Sequence, residues 1–215
     1  VHTYAAPGVY YATVTVSDDS GATLSATLMH QVFLTTSTQA PSISASIAYE
    51  TRSGAPSRLW VVNADNDSVS VLDATTRARL TEIAVGAGPR TLAIAPDGSV
   101  WVTNKQAASV SVISAATLAV TRTIALPRGS QPYGVAMARA NGNALIALEG
   151  SGQLLKIGTS SFATTGALAV GANARHVAVA ADGSTAYVTR FVTPPLAGEA
   201  TAAVNTASGG GQMVV

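Results

Sequence analysis

Val100-Trp101-Val102-Thr103-Asn104 decides the fold, because the chain repeats nearly the same phrase three more times. Leu59-Trp60-Val61-Val62-Asn63 stands 41 residues before it, and Ala144-Leu145-Ile146-Ala147-Leu148 stands 44 residues after it. Ala186-Tyr187-Val188-Thr189-Arg190 follows a further 42 residues on. A second landmark keeps step: Val69-Ser70-Val71-Leu72, Val110-Ser111-Val112-Ile113 and Leu154-Leu155-Lys156-Ile157. So does a third, Ala95-Pro96-Asp97-Gly98-Ser99, then Arg139-Ala140-Asn141-Gly142-Asn143 and Ala180-Ala181-Asp182-Gly183-Ser184. Landmarks that hold one register across several copies mark a structural repeat.

Each unit holds four strand-like runs, in the second unit about 91–95, 100–103, 109–113 and 120–126. Asp-Gly and Asn-Gly between the first two runs are tight-turn signals, since these residues tolerate positive φ. Four short antiparallel strands per 40–45 residues describe a β-propeller blade. No helical 3.6-residue periodicity persists. The fold class expected is all-β: three nearly complete four-stranded blades and the start of a fourth, a partial propeller, after a partial sandwich at residues 1–35.

Composition agrees. The 215 residues are 47% hydrophobic and only 11% charged, against about 25% charged in an ordinary domain, so disorder is excluded. Aromatics are 5%, and small and β-branched residues fill the space, as suits short strands. The net charge of +1 gives no field to recruit nucleic acid or an anionic membrane. No apolar run is long enough to span a bilayer. The absence of cysteine removes disulfides, thiolate metal sites and cysteine nucleophiles. The first residue is Val, and Gln212-Met213-Val214-Val215 reads as a strand just beginning, so both ends read as interrupted and the chain as a fragment. That leaves a removed signal peptide open.

Before the repeats, Val9 to Val16 alternates, with Val14 and Val16 on one face and Thr13 and Thr15 on the other. Ser17-Asp18-Asp19-Ser20-Gly21 supplies a turn, and a second strand pattern over 22–34 completes a hairpin with one face to bury, the rest of its domain being expected before residue 1 because two strands alone are marginal. The wording His2-Thr3-Tyr4-Ala5-Ala6-Pro7-Gly8-Val9-Tyr10 with Val14-Thr15-Val16-Ser17-Asp18-Asp19-Ser20-Gly21 resembles the C-terminal part of a PKD domain. That resemblance implies an immunoglobulin-like sandwich acting as a spacer or adhesive module, with His2 and Tyr4 pinning the start of the strand. Residues 36–42, small, polar and closed by Pro41, read as a linker.

Trp101-Val102-Thr103-Asn104, Tyr187-Val188-Thr189, Val110-Ser111-Val112-Ile113 and Ala95-Pro96-Asp97-Gly98 resemble the YVTN β-propeller repeat. The third unit departs at Ala147-Leu148, and the fourth at Arg190. The resemblance implies a ring usually of seven blades, placed here over 43–215, on a bacterial protein that is extracellular, on the cell surface or periplasmic.

Blade geometry puts the start of the innermost strand and the end of the second strand at one face of the disc. Candidates for ligand contact there are Arg90, Tyr133 and Arg175 from the former and Asn63, Asn104 and Arg190 from the latter. Arg90 and Arg175 at one register can present guanidinium donors to carboxylate or phosphate, or pair with carbonyls or an acid of the adjacent blade. Asn63 and Asn104 can equally bond their own turn. After Arg190 about 21 residues stand where other units use about five, a length associated with functional loops, and this insertion is expected to border the channel mouth. Asp65-Asn66-Asp67-Ser68 lacks the glycine and distal glutamate of a calcium loop, and His176 has no second histidine nearby, so no metal is expected. No catalytic set and no cofactor motif can be placed. The function expected is a non-enzymatic binding or scaffold module whose propeller face takes a protein, glycan or small ligand, without nucleic acid. The alternative is part of a lactonase-like propeller enzyme, or of a haem-linked electron-transfer protein whose C-x-x-C-H segment lies outside this sequence.

Overall fold

The computed structural model describes residues 3–4, 8–32, 46–138, 141–180, 183–191 and 212–214. The chain divides into two compact units, Val1–Ala40 and Pro41–Val215.

In the first unit, β1 (Gly8–Ser17) pairs antiparallel with β2 (Thr23–Val32), and Ser17 lies opposite Thr23. Asp18 closes the turn by accepting from the Ser20 and Ala22 N–H groups, each at 2.9 Å, while Gly21 takes φ 82°. Hydroxyl pairs Thr13–Thr27 (2.8 Å) and Thr15–Ser25 (2.6 Å) line one side. The Tyr4 ring lies 4.4 Å from that of Tyr10, near the start of the strand. His2 and the linker over 36–42 lie outside the described residues. The hairpin's apolar face is not buried: Val14, Val16, Leu24 and Leu28 are 64%, 65%, 79% and 69% exposed. Two strands make one layer, and a layer buries its apolar side only against another.

The second unit is a series of antiparallel meanders. The first is β3 (Ser46–Glu50), β4 (Arg58–Asn63), β5 (Ser68–Asp73) and β6 (Arg79–Ala84). The second is β7 (Pro89–Ile94), β8 (Val100–Asn104), β9 (Ser109–Ser114) and β10 (Ala119–Ala125). The third is β11 (Pro132–Ala138), β12 (Asn143–Leu148), β13 (Gln153–Gly158) and β14 (Thr164–Ala169). A fourth, three-stranded sheet holds β15 (Ala174–Val179), β16 (Ala186–Arg190) and β17 (Gln212–Val214). The first strands pack successively, β3 on β7, β7 on β11 and β11 on β15, so these four meanders are propeller blades arranged about their inner strands.

Three cores lie between blades. Trp60, Val62, Val69 and Val71 of the first blade meet Leu92, Val100 and Val102 of the second. Trp101, Val110 and Val112 meet Val135, Ile146 and Ile157, and Ala147 and Leu154 meet Ala174 and Val188. Blade sheets are therefore apolar on both faces, which explains the low charge. Trp60 and Trp101 are fully buried, each removing a large apolar surface from water, and each indole N–H still finds an acceptor, Glu50 at 2.8 Å and Ser99 at 3.2 Å. Arg58 crosses a junction to the Ala115 carbonyl at 2.6 Å.

The Asn63 and Asn104 side chains reach past their turns to the next strand. Asn63 Nδ2 donates toward Ser68 and Ser70 (3.3 and 3.0 Å), and Asn104 Nδ2 toward Ser109 and Ser111 (3.1 and 2.9 Å). The third blade has Leu148 with Gln153 and Leu155 at these positions, so the repeat's asparagine and its Ser-x-Ser change together.

Candidate ligand face of the propeller

Three inner strands carry the same irregularity. Pairing skips between Pro89 and Leu92, between Pro132 and Val135, and between Ala174 and Val177. Two residues there oppose one on the neighbouring strand, which is a β-bulge, and a bulge re-aims the side chain it carries. The bulged residues are Arg90-Thr91, Tyr133-Gly134 and Arg175-His176. Three of the candidates thus stand on one repeated device, at the end of the sheets where β4, β8, β12 and β16 finish.

The bulges also join the blades. Thr91 and Thr103 both donate to the Tyr133 carbonyl, at 2.7 and 2.6 Å, and Thr91 Oγ1 accepts from the Val135 N–H at 3.1 Å. One junction further on, Gly134 takes the place of Thr91 and Ala147 that of Thr103. A Cβ on Gly134 would collide with the Arg175 carbonyl oxygen, so here the backbones themselves touch. The departure of the third unit from the repeat is therefore a change of junction, from hydroxyl-bridged to backbone-packed.

Around Tyr133 the residues that immediately follow the second strands converge. Glu149 accepts a fork from Arg175, Nε to Oε2 at 2.9 Å and Nη2 to Oε1 at 3.2 Å, and a third bond from Lys105 Nζ at 3.0 Å. Burial acts to raise the Glu149 pKa, but the bonds and charges of Arg175 and Lys105 outweigh it and hold the carboxyl below its usual range. The Arg175 guanidinium lies 4.8 Å from the Tyr133 ring centre and 3.4 Å from that of Phe191, and Lys105 Nζ lies 5.7 Å from Tyr133. His176 is exposed, with its ring edge-on to Tyr133 at 5.2 Å. This is a cation-rich, aromatic-lined mouth with one acid at its centre.

The six sequence candidates divide. Tyr133 and Arg175 are brought together, Arg175 pairing with the acid of the adjacent blade. Arg90 stands at the same register with no acidic partner among the described residues, and its Nε is shielded from solvent and unbonded. Arg190 turns back, its Nε donating to the Ala172 carbonyl at 2.8 Å. Asn63 and Asn104, 2% and 0% exposed, serve the sheet instead of a ligand face, because the serines across the hairpin draw their amides inward. Sequence reasoning missed Lys105, Glu149 and Phe191. Their shared position, one residue after the Asn104, Leu148 and Arg190 landmarks, was the available signal.

In the 64–67 turn, Asp67 accepts from the Gly88 N–H at 2.7 Å, while Asn66 and Ser68 bond Glu82. That is turn and junction chemistry, and no set of three metal-ligating side chains gathers among the described residues. At the opposite end of the sheets, two clefts of about 280 and 360 Å³ flank the Asp97-Gly98 turn. The insertion after Phe191 lies outside the described residues over 192–211. No helix among the described residues is long and apolar enough to cross a membrane.

No family model matches the chain. No curated protein matches it either. Solved structures do. Hydrazine synthase from Kuenenia stuttgartiensis aligns with TM-score 0.63 and 22% identity over 74% of this chain and 46% of that one. A catalytically inactive virginiamycin B lyase from Staphylococcus aureus, solved with quinupristin, aligns with TM-score 0.59 and 16% identity over 83% and 53%. Dihydro-heme d1 dehydrogenase NirN, in complex with DHE, aligns with TM-score 0.54 and 19% identity over 74% and 33%. The chain spans about half the length of the first of these structures, and at such identities the likeness is one of fold: the repeat-bearing unit is part of a β-propeller.

Proposed function

We propose that the chain is a non-enzymatic binding or scaffold module of YVTN type, preceded over 1–35 by the end of a PKD-like spacer and carried on an extracellular, surface or periplasmic protein. Its ligand face is the mouth formed by Arg90, Tyr133 and Arg175. The observation that carries this reading is the bulge repeated at one register in β7, β11 and β15, which sets Arg90, Tyr133 and Arg175 at equivalent places on successive blades. Glu149 supports binding over acid–base chemistry. A carboxylate held ionised by two cations is a weak base, and general-base catalysis needs a pKa near the working pH.

A ligand-observed NMR screen of small molecules and short glycans against the protein tests the reading. Hits whose signals fall in Tyr133→Ala and in Arg175→Gln, with the strand signature of circular dichroism intact, bear it out. Hits indifferent to both changes put binding elsewhere and sink it.

A further inference from the structure

The repeat register shows what Arg90 is missing. Arg175, on the bulge of the fourth blade, is held by Glu149, which immediately follows the second strand of the third blade. Tyr133, on the bulge of the third blade, is covered by Lys105, which follows the second strand of the second. Each bulge side chain therefore meets the residue after the second strand of the preceding blade. For Arg90 that residue is Ala64, following Asn63 at the end of β4. Alanine offers neither charge nor length, so among the described residues no carboxylate stands to Arg90 as Glu149 stands to Arg175. Asp67 gives its carboxylate to the backbone N–H of Gly88 instead. Arg90 is half-buried, so its guanidinium has lost part of its water and gains no ion pair in return.

Resting on the binding reading above, we propose that Arg90, whose counterpart in the repeat register is Ala64, receives the carboxylate of a small organic acid on the two outer nitrogens of its guanidinium, in place of the acid that Glu149 supplies to Arg175. The planar fork of a guanidinium matches a carboxylate in two parallel hydrogen bonds, and Glu149 is the worked example inside this chain. Tyr133 stands on the next bulge, tied to that of Arg90 through the bond from Thr91 to the Tyr133 carbonyl.

Benzoate is the probe, titrated against the protein by ligand-observed NMR, with benzamide as its uncharged counterpart and inorganic phosphate as the alternative anion. The expected result is saturable binding of benzoate at one site, weakened about tenfold or more in Arg90→Gln and absent for benzamide. Ala64→Glu, which supplies the missing acid from the chain, abolishes benzoate binding. Glu149→Ala, which copies Ala64, frees Arg175 and raises the stoichiometry from one site to two. Benzoate binding unchanged by Arg90→Gln and Ala64→Glu overturns the proposal, as does phosphate displacing benzoate at lower concentration. Benzamide binding as well as benzoate, with sensitivity to Tyr133→Ala, overturns carboxylate recognition by Arg90 while leaving the ligand face standing. Arg90→Gln changes no core residue, so it carries the test even if Ala64→Glu disturbs the fold.

Discussion

Glu149 receives three hydrogen bonds from two cations belonging to the blades on either side, and this makes it a pH-dependent clamp. Its folded pKa lies below the ordinary glutamate value of 4.5, so the unfolded chain takes up the proton first as pH falls. The stabilisation is complete above the unfolded value and is lost as pH falls through the folded one. Denaturant unfolding of wild type and Glu149→Gln should differ at neutral pH by about 1 kcal/mol, the scale of a partly exposed ion pair. That difference should shrink to nothing on acidification, and a pH-independent difference would count against the clamp. At this scale the sequence was half legible. Arg90, Tyr133 and Arg175 follow fixed landmarks and are found by alignment. Lys105, Glu149 and Ala64 share a register too, but their chemistry changes at every blade, and similarity searching within the chain passes over what is not similar. Asn63 and Asn104 are equally plain in the repeat, yet only the fold shows that Ser68, Ser70, Ser109 and Ser111 turn them inward.

Among elements, the strands of the second blade were readable to within two residues, because alternation and Asp-Gly punctuation mark them. The bulges were not readable, since an extra residue leaves the type of neighbouring residues unchanged and shows only as a skipped pair. Two predictions belong here. Gly134→Ala places a methyl against the Arg175 carbonyl, and its cost should be about 1–3 kcal/mol, with blade four moving to relieve the contact. Chemical denaturation measures the first, and loss of hydrogen-exchange protection confined to β15 and β16 reports the second. Asn104→Ala strips two buried serines of a donor and should cost about 1–3 kcal/mol in the same denaturation experiment. Asn104→Leu, paired with Ser109→Gln and Ser111→Leu, copies the third blade's solution and should recover most of that loss.

For the molecule as a whole, the sequence announced a propeller because blade stacking demands sheets apolar on both faces at a fixed period. The hairpin's alternation likewise marks a face made for burial, and that face stays exposed because one layer cannot bury its own apolar side. The first blade shows the same demand. Ala48, Trp60 and Val62 face the second blade, while Ile47 and Tyr49 on the other side of β3 are 62% and 59% exposed, opposite Val61 and Leu59. An apolar flank flanked by strand edges favours association. Sedimentation velocity should show the average size rising with concentration, and Ile47→Lys with Tyr49→Lys should suppress the rise. A double variant that associates like wild type would exonerate this flank.

The repeated bulge carries a last consequence, for how such a face changes over time. Its side chain sits on a residue that the strand pairing has already skipped, so exchanging that residue leaves the ladder untouched. Arginine, tyrosine and arginine occupy the three bulges without altering the blades that bear them. The scaffold thus separates what holds it together from what it displays: three interchangeable letters, each opposed by one further letter from the blade before. New specificities can be spelled there two residues at a time, with the strand ladders unchanged.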